Sequence, residues 1–190
     1  MATTALARDV LPDDLPYQTG AAGPLGSSAA ALLLRECDTL LLVGAEDLDP
    51  AVLPDPAGCR IVAVGSGESV PGTAVRVNGD PRAALEALIL MLHRATDRGW
   101  RTRVEDTVRE WRAEGRAKTS RYFGTSVNPR SVVAELPDRA VVVTDSGTAL
   151  GPAIRGCATA CARCCRGISV CPARPCPTPS PPSSRPRNGP

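Results

Sequence analysis

Aromatic residues, lysine and histidine are scarce in this chain of 190 residues. It contains two Trp, two Tyr, one Phe and one His, and Lys118 is the only lysine. A surface that stacks nucleic-acid bases needs several exposed aromatic side chains, so this composition argues against nucleic-acid binding. The hydrophobic core has to consist of Val, Leu, Ile and Ala, which is typical of a buried parallel sheet covered by helices.

Long apolar runs are also missing. No run approaches the ~20 residues that are needed to cross a bilayer. The N-terminus shows no basic segment followed by an apolar one, so no export signal is visible. We therefore expect a cytoplasmic protein that makes no membrane contact.

The composition changes sharply near Arg155. Positions 156–190 contain six of the eight cysteines, eight of the nineteen prolines and five arginines, but no Asp, Glu or Lys. The formal charge is −3 over residues 1–155 and +5 over the tail, so the net charge of +2 arises in the tail. Proline-rich segments without apolar periodicity do not build a core, and we expect a disordered tail.

The tail cysteines leave two explanations open. Cys161 and Cys164 have the spacing of zinc ligands, and Cys171 or Cys176 could complete a set of four, which would make this a Cys-rich metal-binding tail. The absence of acidic residues in a tail that begins abruptly instead favours an out-of-frame translation of a GC-rich gene. We hypothesise a frameshift near Arg155, which resequencing of the gene would test.

The first 95 residues show the pattern of an α/β chain. Ser27 or Ser28 is placed to cap a helix that ends near Cys37. Apolar runs closed by glycine predict strands at 38–44 and 59–65, each buried on both faces, and a weaker strand follows at 74–77. Asp80 and Pro81 predict the start of a helix that continues to about His93.

A second group of elements follows a loop. A charged helix is predicted from Asp97 to about Lys118, with an apolar stripe formed by Trp100, Val104, Val108 and Trp111. Residues 115–125 are predicted to be a linker. Asn128 and Pro129 precede a predicted helix at 130–136, and a strand at 140–144 ends in the sequence Asp-Ser-Gly-Thr.

The order of these segments resembles a known enzyme family. The first part of the chain is similar to the latter half of the middle domain of thiamine diphosphate-dependent enzymes of the acetolactate synthase and pyruvate oxidase type. The similarity lies in the segment TTALARDVLPDDLPYQTGAAGPLGSSAAALLLRECDTLLLVG, a second strand and then VNGDPRAALEAL. VNPRSVVAELPDRAVVVTDSGTA resembles the first helix and strand of their cofactor-diphosphate domain.

The resemblance implies an incomplete Rossmann-like parallel sheet with flanking helices. It divides the chain into a partial middle domain at 1–95, a charged linker helix at 96–125, the start of the diphosphate-binding domain at 126–155 and the disordered tail at 156–190. Such a protein would act on 2-oxo acids. The resemblance also implies a subunit that associates with a second copy or with a partner that supplies the missing domains.

Asp145, Ser146, Gly147 and Thr148 are the candidate cofactor-binding residues. The resemblance places them near the diphosphate of thiamine diphosphate, beyond the carboxyl end of a strand; the alternative is an ordinary turn that ends the strand. The activating glutamate and the GDG magnesium motif of the family are not found in the sequence. Thiamine diphosphate and magnesium are therefore cofactors by resemblance alone, no catalytic residue is assigned, and we expect the chain to be inactive by itself.

The alternative function is a non-catalytic module that binds a nucleotide or another subunit. Gly44 and the run Gly65-Ser66-Gly67-Glu68 follow strands where some relatives hold FAD, but the full dinucleotide spacing is missing, which favours plain turns. His93 is expected at the surface or at a helix end. Cys37 and Cys59, which flank strands, are expected to be inert apolar residues.

Overall fold

A computed structural model describes residues 1–136, apart from positions 6, 8, 9, 13, 46–48, 66–69, 71, 122 and 123, together with the strands at 142–145 and 168–171. In chain order its elements are α1 (Ser28–Glu36), β1 (Thr39–Val43), a 3₁₀ turn (Pro50–Val52), β2 (Arg60–Val64), β3 (Val75–Val77), α2 (Pro81–Met91), α3 (Gly99–Thr119), α4 (Pro129–Ala134), β4 (Val142–Asp145) and β5 (Ile168–Cys171). None of the helices in this part of the chain has the length and apolar character to cross a membrane.

The three strands β1, β2 and β3 form a parallel sheet in that order. β1 pairs with β2 along its whole length, from Thr39 opposite Arg60 to Val43 opposite Val64, and β2 pairs with β3 from Val62 opposite Val75. The predicted α/β class with a parallel sheet and flanking helices is confirmed.

One face of the sheet is buried, whereas the other face is covered at β2 and exposed at β1 and β3. A core cluster of Leu42, Ala45, Cys59, Ile61, Ala63 and Val70 covers one side. On the other side Val64 of β2 is buried, but Leu41, Val43 and Val75 of the two outer strands remain 42%, 40% and 57% exposed. The prediction that the first strand is buried on both faces is therefore wrong. α1, the helix before β1, directs Leu33 into a separate cluster with two valines of α3 instead.

Side-chain caps set where the first two helices begin. Ser27, not Ser28, caps α1, and its hydroxyl accepts a hydrogen bond from the amide of Ala30 at 2.9 Å. Asp80 accepts from the amide of Ala83 at 2.9 Å and Pro81 is the first residue of α2, as predicted. α2 ends at Met91, two residues before the predicted end, and His93 lies exposed beyond it, as expected.

The charged helix α3 packs against α1. Val104 and Val108 are buried against Leu33, while Trp100, predicted to share their stripe, is 47% exposed. Arg103 forms an ion pair of 2.7 Å with Glu36 at the end of α1. This hydrogen-bonded ion pair lowers the pKa of Glu36.

α3 ends at Thr119, close to the predicted end near Lys118, and so includes the first residues of the predicted linker at 115–125. Gly115, the first residue of that linker, lies inside the helix and is buried. Tertiary packing overrides the low helix propensity of glycine here. The guanidinium of Arg112 donates to the backbone oxygen of Leu15 at 2.7 Å, so α3 also contacts the N-terminal segment.

Asn128 joins the end of α3 to the start of α4. Its side-chain oxygen accepts from the amide of Arg130, which caps α4. Its side-chain amide donates to the carbonyls of Lys118, Thr119 and Arg121 at 2.9, 3.0 and 3.2 Å. The side chain therefore holds two backbone segments together from a buried position.

A second, two-stranded sheet is formed by β4 and β5, which are parallel. β4 corresponds to the predicted strand at 140–144, of which positions 140 and 141 lie outside the described residues. β5 has no counterpart among the predicted elements, because its four residues belong to the segment expected to be disordered. The rest of that segment lies outside the described residues.

Substitution of Gly65 by alanine is expected to destabilise the protein more than the same change at Gly44. Both glycines end a strand with positive φ, 54° and 55°, and alanine costs about 1 kcal/mol in that conformation. A Cβ at Gly65 would also lie 2.5 Å from Cγ of Pro81, whereas nothing lies within 4 Å at Gly44. Overpacking adds about 1–3 kcal/mol. Urea unfolding of the two variants measures the difference, and equal losses would contradict the proposed contact.

Asn128→Asp is expected to lower the free energy of unfolding more than Asn128→Ser. Serine keeps a cap acceptor but loses the amide donors, at a cost of about 1–3 kcal/mol. Aspartate places a carboxylate opposite the three carbonyl oxygens that the amide now contacts, which adds repulsion. Urea unfolding at neutral pH compares the two, and an aspartate variant as stable as the parent would disprove the role of the amide.

Candidate functional site

The carboxyl edge of the three-stranded sheet is where the fold class places a ligand. Gly44 and Gly65 occupy this edge side by side, and their amides donate to Val64 and Val77 at 2.9 and 3.2 Å. The glycines therefore extend the strand pairing by one residue and then turn. Ser66, Gly67 and Glu68, the remaining residues of the nucleotide hypothesis, lie outside the described residues.

The start of α2 approaches this edge but does not offer a free anion site. Gly65 and Pro81 are in close contact, which brings the helix N-terminus next to the end of β2. The carboxylate of Asp80 already caps that N-terminus. A phosphate would meet a negative charge where helix amides otherwise attract anions. This geometry favours the plain-turn interpretation of the glycine run over nucleotide binding.

The predicted diphosphate site is described only in part. Asp145 is the last residue of β4 and pairs with Cys171 of β5, so it stands at the carboxyl end of a parallel strand. Ser146, Gly147 and Thr148 lie outside the described residues. The assignment of these four residues to a diphosphate site stays a prediction.

Magnesium ligands are not found in the part of the chain that the structure describes. No group of three or more His, Cys, Asp or Glu side chains capable of holding a metal ion occurs among those residues. The described residues thus fit a supporting sheet, and they do not provide the acidic set that holds magnesium and a diphosphate.

The comparison with protein families addresses the first half of the chain. Residues 1–88 match the family model "Thiamine pyrophosphate enzyme, central domain". The matched range comprises the N-terminal segment, α1, the sheet β1–β3 and most of α2. It supports the thiamine diphosphate enzyme family for this part of the chain, and the resemblance at 126–155 lies outside it. No curated protein matches the chain.

Two cysteines meet at the opposite, amino edge of the sheet. Cys37 follows the last residue of α1, Cys59 directly precedes β2, and their Sγ atoms are 3.7 Å apart. Both thiols are free. Cys59 is 7% exposed and belongs to the core cluster, whereas Cys37 is half-buried.

The environment of Cys37 disfavours its thiolate. Burial raises the pKa of this thiol to about 11, and the hydrogen bond with Cys59 and the charge of Asp38 act in the same direction. The expectation of inert cysteines is thus consistent with the low acidity of Cys37, but it missed the pairing. A signal was present, because the two residues precede adjacent parallel strands.

A cavity of about 490 Å³ lies at this edge and is lined by Cys59 but not by Cys37. Its lining is mostly backbone and polar groups from the start of β1 and from the connection into β2: Asp38, Thr39, Pro56, Ala57, Gly58, Cys59 and Arg60. The cavity therefore lies at the amino edge, away from the edge where the fold class places ligands.

Alkylation of Cys37 is expected to be slow at neutral pH and to accelerate with increasing pH. Because the folded-state pKa is raised, the reactive thiolate is rare at pH 7, and its fraction grows about tenfold per pH unit until the pH approaches the pKa. Iodoacetamide labelling of the folded protein between pH 7 and 10, followed by peptide mass spectrometry, gives the rate. In urea the rate at pH 7 should increase, and a folded-state rate that levels off near pH 8 would contradict the raised pKa.

Proposed function

We propose that this chain is a thiamine diphosphate-dependent protein of the acetolactate synthase or pyruvate oxidase type that acts on 2-oxo acids. Its sheet β1–β3 serves as a central-domain scaffold. The observation that carries the proposal is the family match, which coincides with the segment that folds into the parallel sheet. The arrangement of helix, strands and helix supports the same assignment.

The proposed role of the chain is supportive, and by itself it is expected not to catalyse the reaction. The described residues hold no metal-binding cluster, and GDG does not occur in the sequence. Cofactor binding through Asp145, Ser146, Gly147 and Thr148 would then require magnesium ligands from outside the described residues. This proposal rests on the resemblance for these four residues and on the position of Asp145 at a strand end.

Association through the sheet is the second part of the proposal. Leu41, Val43 and Val75 leave apolar side chains exposed on both outer strands of one sheet face. Exposed apolar groups on one face are typical of interaction surfaces. Among the described strands β1 pairs only with β2, so its outer edge is also open to another strand. A second copy or a chain that supplies the other domains would cover these groups.

Calorimetric titration of the full chain with thiamine diphosphate and magnesium tests the supportive role. We expect no binding heat at micromolar cofactor and no release of carbon dioxide from pyruvate, because the metal-holding residues are missing from the described site. Release of carbon dioxide by the chain alone would disprove the supportive role. Binding heat without turnover would show that the chain binds the cofactor unaided, which also contradicts the requirement for further magnesium ligands.

Sedimentation measurements test the association. The parent chain is expected to self-associate as its concentration increases, and Leu41→Glu to reduce this by placing a charge on the sheet face. Val10→Glu is the matched control, because Val10 is 69% exposed in the N-terminal segment. Equal association of all three proteins would exclude the sheet face as the contact.

A further inference from the structure

We propose that Cys37 and Cys59 are a thiol–disulfide site, at which a low-molecular-weight disulfide converts the two thiols into an internal disulfide. The proposal rests on the geometry of the amino edge and is independent of the proposed cofactor chemistry. The two Sγ atoms are 3.7 Å apart. A disulfide needs about 2.0 Å between them, which small side-chain rotations can supply.

The fold holds both thiols at the same level of the sheet. The amide of Arg60 donates to the carbonyl of Asp38 at 2.8 Å, which fixes the residues next to the two cysteines against each other. Cys37 is held at the end of α1, where its amide donates to Leu33. The proximity of the sulfurs is therefore a consequence of strand register.

The two thiols differ in access to a reagent. Cys37 is half-buried, whereas Cys59 is 7% exposed and borders the cavity at the amino edge. We therefore assign the first attack to Cys37 and the second to Cys59. The cavity of about 490 Å³ gives a small disulfide room to lie beside Cys59, whose sulfur is 3.7 Å from that of Cys37.

The reaction balances in two exchanges. The deprotonated sulfur of Cys37 attacks one sulfur of the small disulfide; a mixed disulfide forms, the original bond breaks and one small thiol leaves with a proton. Cys59 then loses its proton and attacks the Cys37 sulfur, which releases the second small thiol. Two protein thiols and one small disulfide give one protein disulfide and two small thiols, so two electrons pass from the protein to the reagent.

The internal disulfide would tie the amino ends of β1 and β2 together. It would link residues 22 positions apart in the chain. Such a link restricts the unfolded chain more than the folded one, because the sulfurs are already adjacent in the fold. Oxidation is thus expected to stabilise the sheet and to leave its carboxyl edge unchanged.

The sequence allows this disulfide to be detected separately from any disulfide that the tail cysteines form. No Lys or Arg lies between Arg35 and Arg60, so trypsin releases both cysteines in one peptide, 36–60. The full chain is incubated with oxidised glutathione at pH 8.5, alkylated and digested. We expect peptide 36–60 to carry no alkyl group and to be lighter than the reduced peptide by two hydrogen atoms. A peptide that carries two alkyl groups, or a lasting glutathione adduct on Cys37, would overturn the proposal.

Repeating the oxidation in urea separates the effect of the fold from the effect of the short distance between the two cysteines along the chain. The equilibrium constant for the internal disulfide against glutathione is expected to be about a hundredfold larger in the folded protein than in urea. Equal constants would show that the fold does not favour the pair. Oxidation should correspondingly shift the midpoint of thermal unfolding upward.

Cys37→Ser and Cys59→Ser are matched single variants. Each is expected to leave one thiol that glutathione or the alkylating reagent modifies, and to lose the upward shift in thermal unfolding. An upward shift retained in both variants would assign it to the tail cysteines and overturn the stabilising role. The peptide measurement on the parent chain decides the proposal even where a variant fails to fold.

Discussion

The parallel pairing of β1 with β2 is the constraint on which the other features depend. Five consecutive residue pairs fix the register, from Thr39 opposite Arg60 to Val43 opposite Val64. Because parallel strands in register end at the same levels, Gly44 and Gly65 meet at the carboxyl edge and the two cysteines meet at the amino edge. A slip of one residue would move every side chain of β1 to the opposite face and separate both pairs. One register therefore organises the candidate ligand edge, the thiol pair and the core.

The uneven covering of the sheet follows from where the helices pack. Leu33 of α1 and the valines at 104 and 108 of α3 form their own small cluster, and the Arg103–Glu36 ion pair borders it. This ion pair is largely exposed and contributes little stability, so the apolar contacts hold the two helices together. α1 is consequently turned toward α3, and the sheet face at Leu41 and Val75 stays exposed. A fold arranged in this way gains stability when another surface covers that face.

The sequence was informative where the controlling signal is local. Ser27 and Asp80 identify helix starts because a cap needs only the residue and the amides that follow it. The burial of β1 was wrongly predicted, since the apolar run does not reveal which faces its neighbours cover. Gly115 was misinterpreted because its buried position in the tertiary structure outweighs the intrinsic preference of glycine. Strand β5 has no pattern in the sequence that distinguishes it from the rest of the tail. The positions of Cys37 and Cys59 before two predicted strands are a signal for the thiol pair, but their contact depends on the register of β1 and β2, which the sequence does not reveal.

The two edges of the sheet differ in the chemistry that they permit. At the carboxyl edge, the carboxylate of Asp80 caps α2 beside Gly65, which disfavours an anionic ligand at the position where nucleotide-binding sheets hold a phosphate. At the amino edge, Cys59 of the thiol pair borders a cavity that Arg60 also lines. Oxidation there would link the strands without adding any group to the exposed sheet face. Stability and association would thus be controlled separately, the first by the cysteines at the amino edge and the second by the apolar face at Leu41, Val43 and Val75.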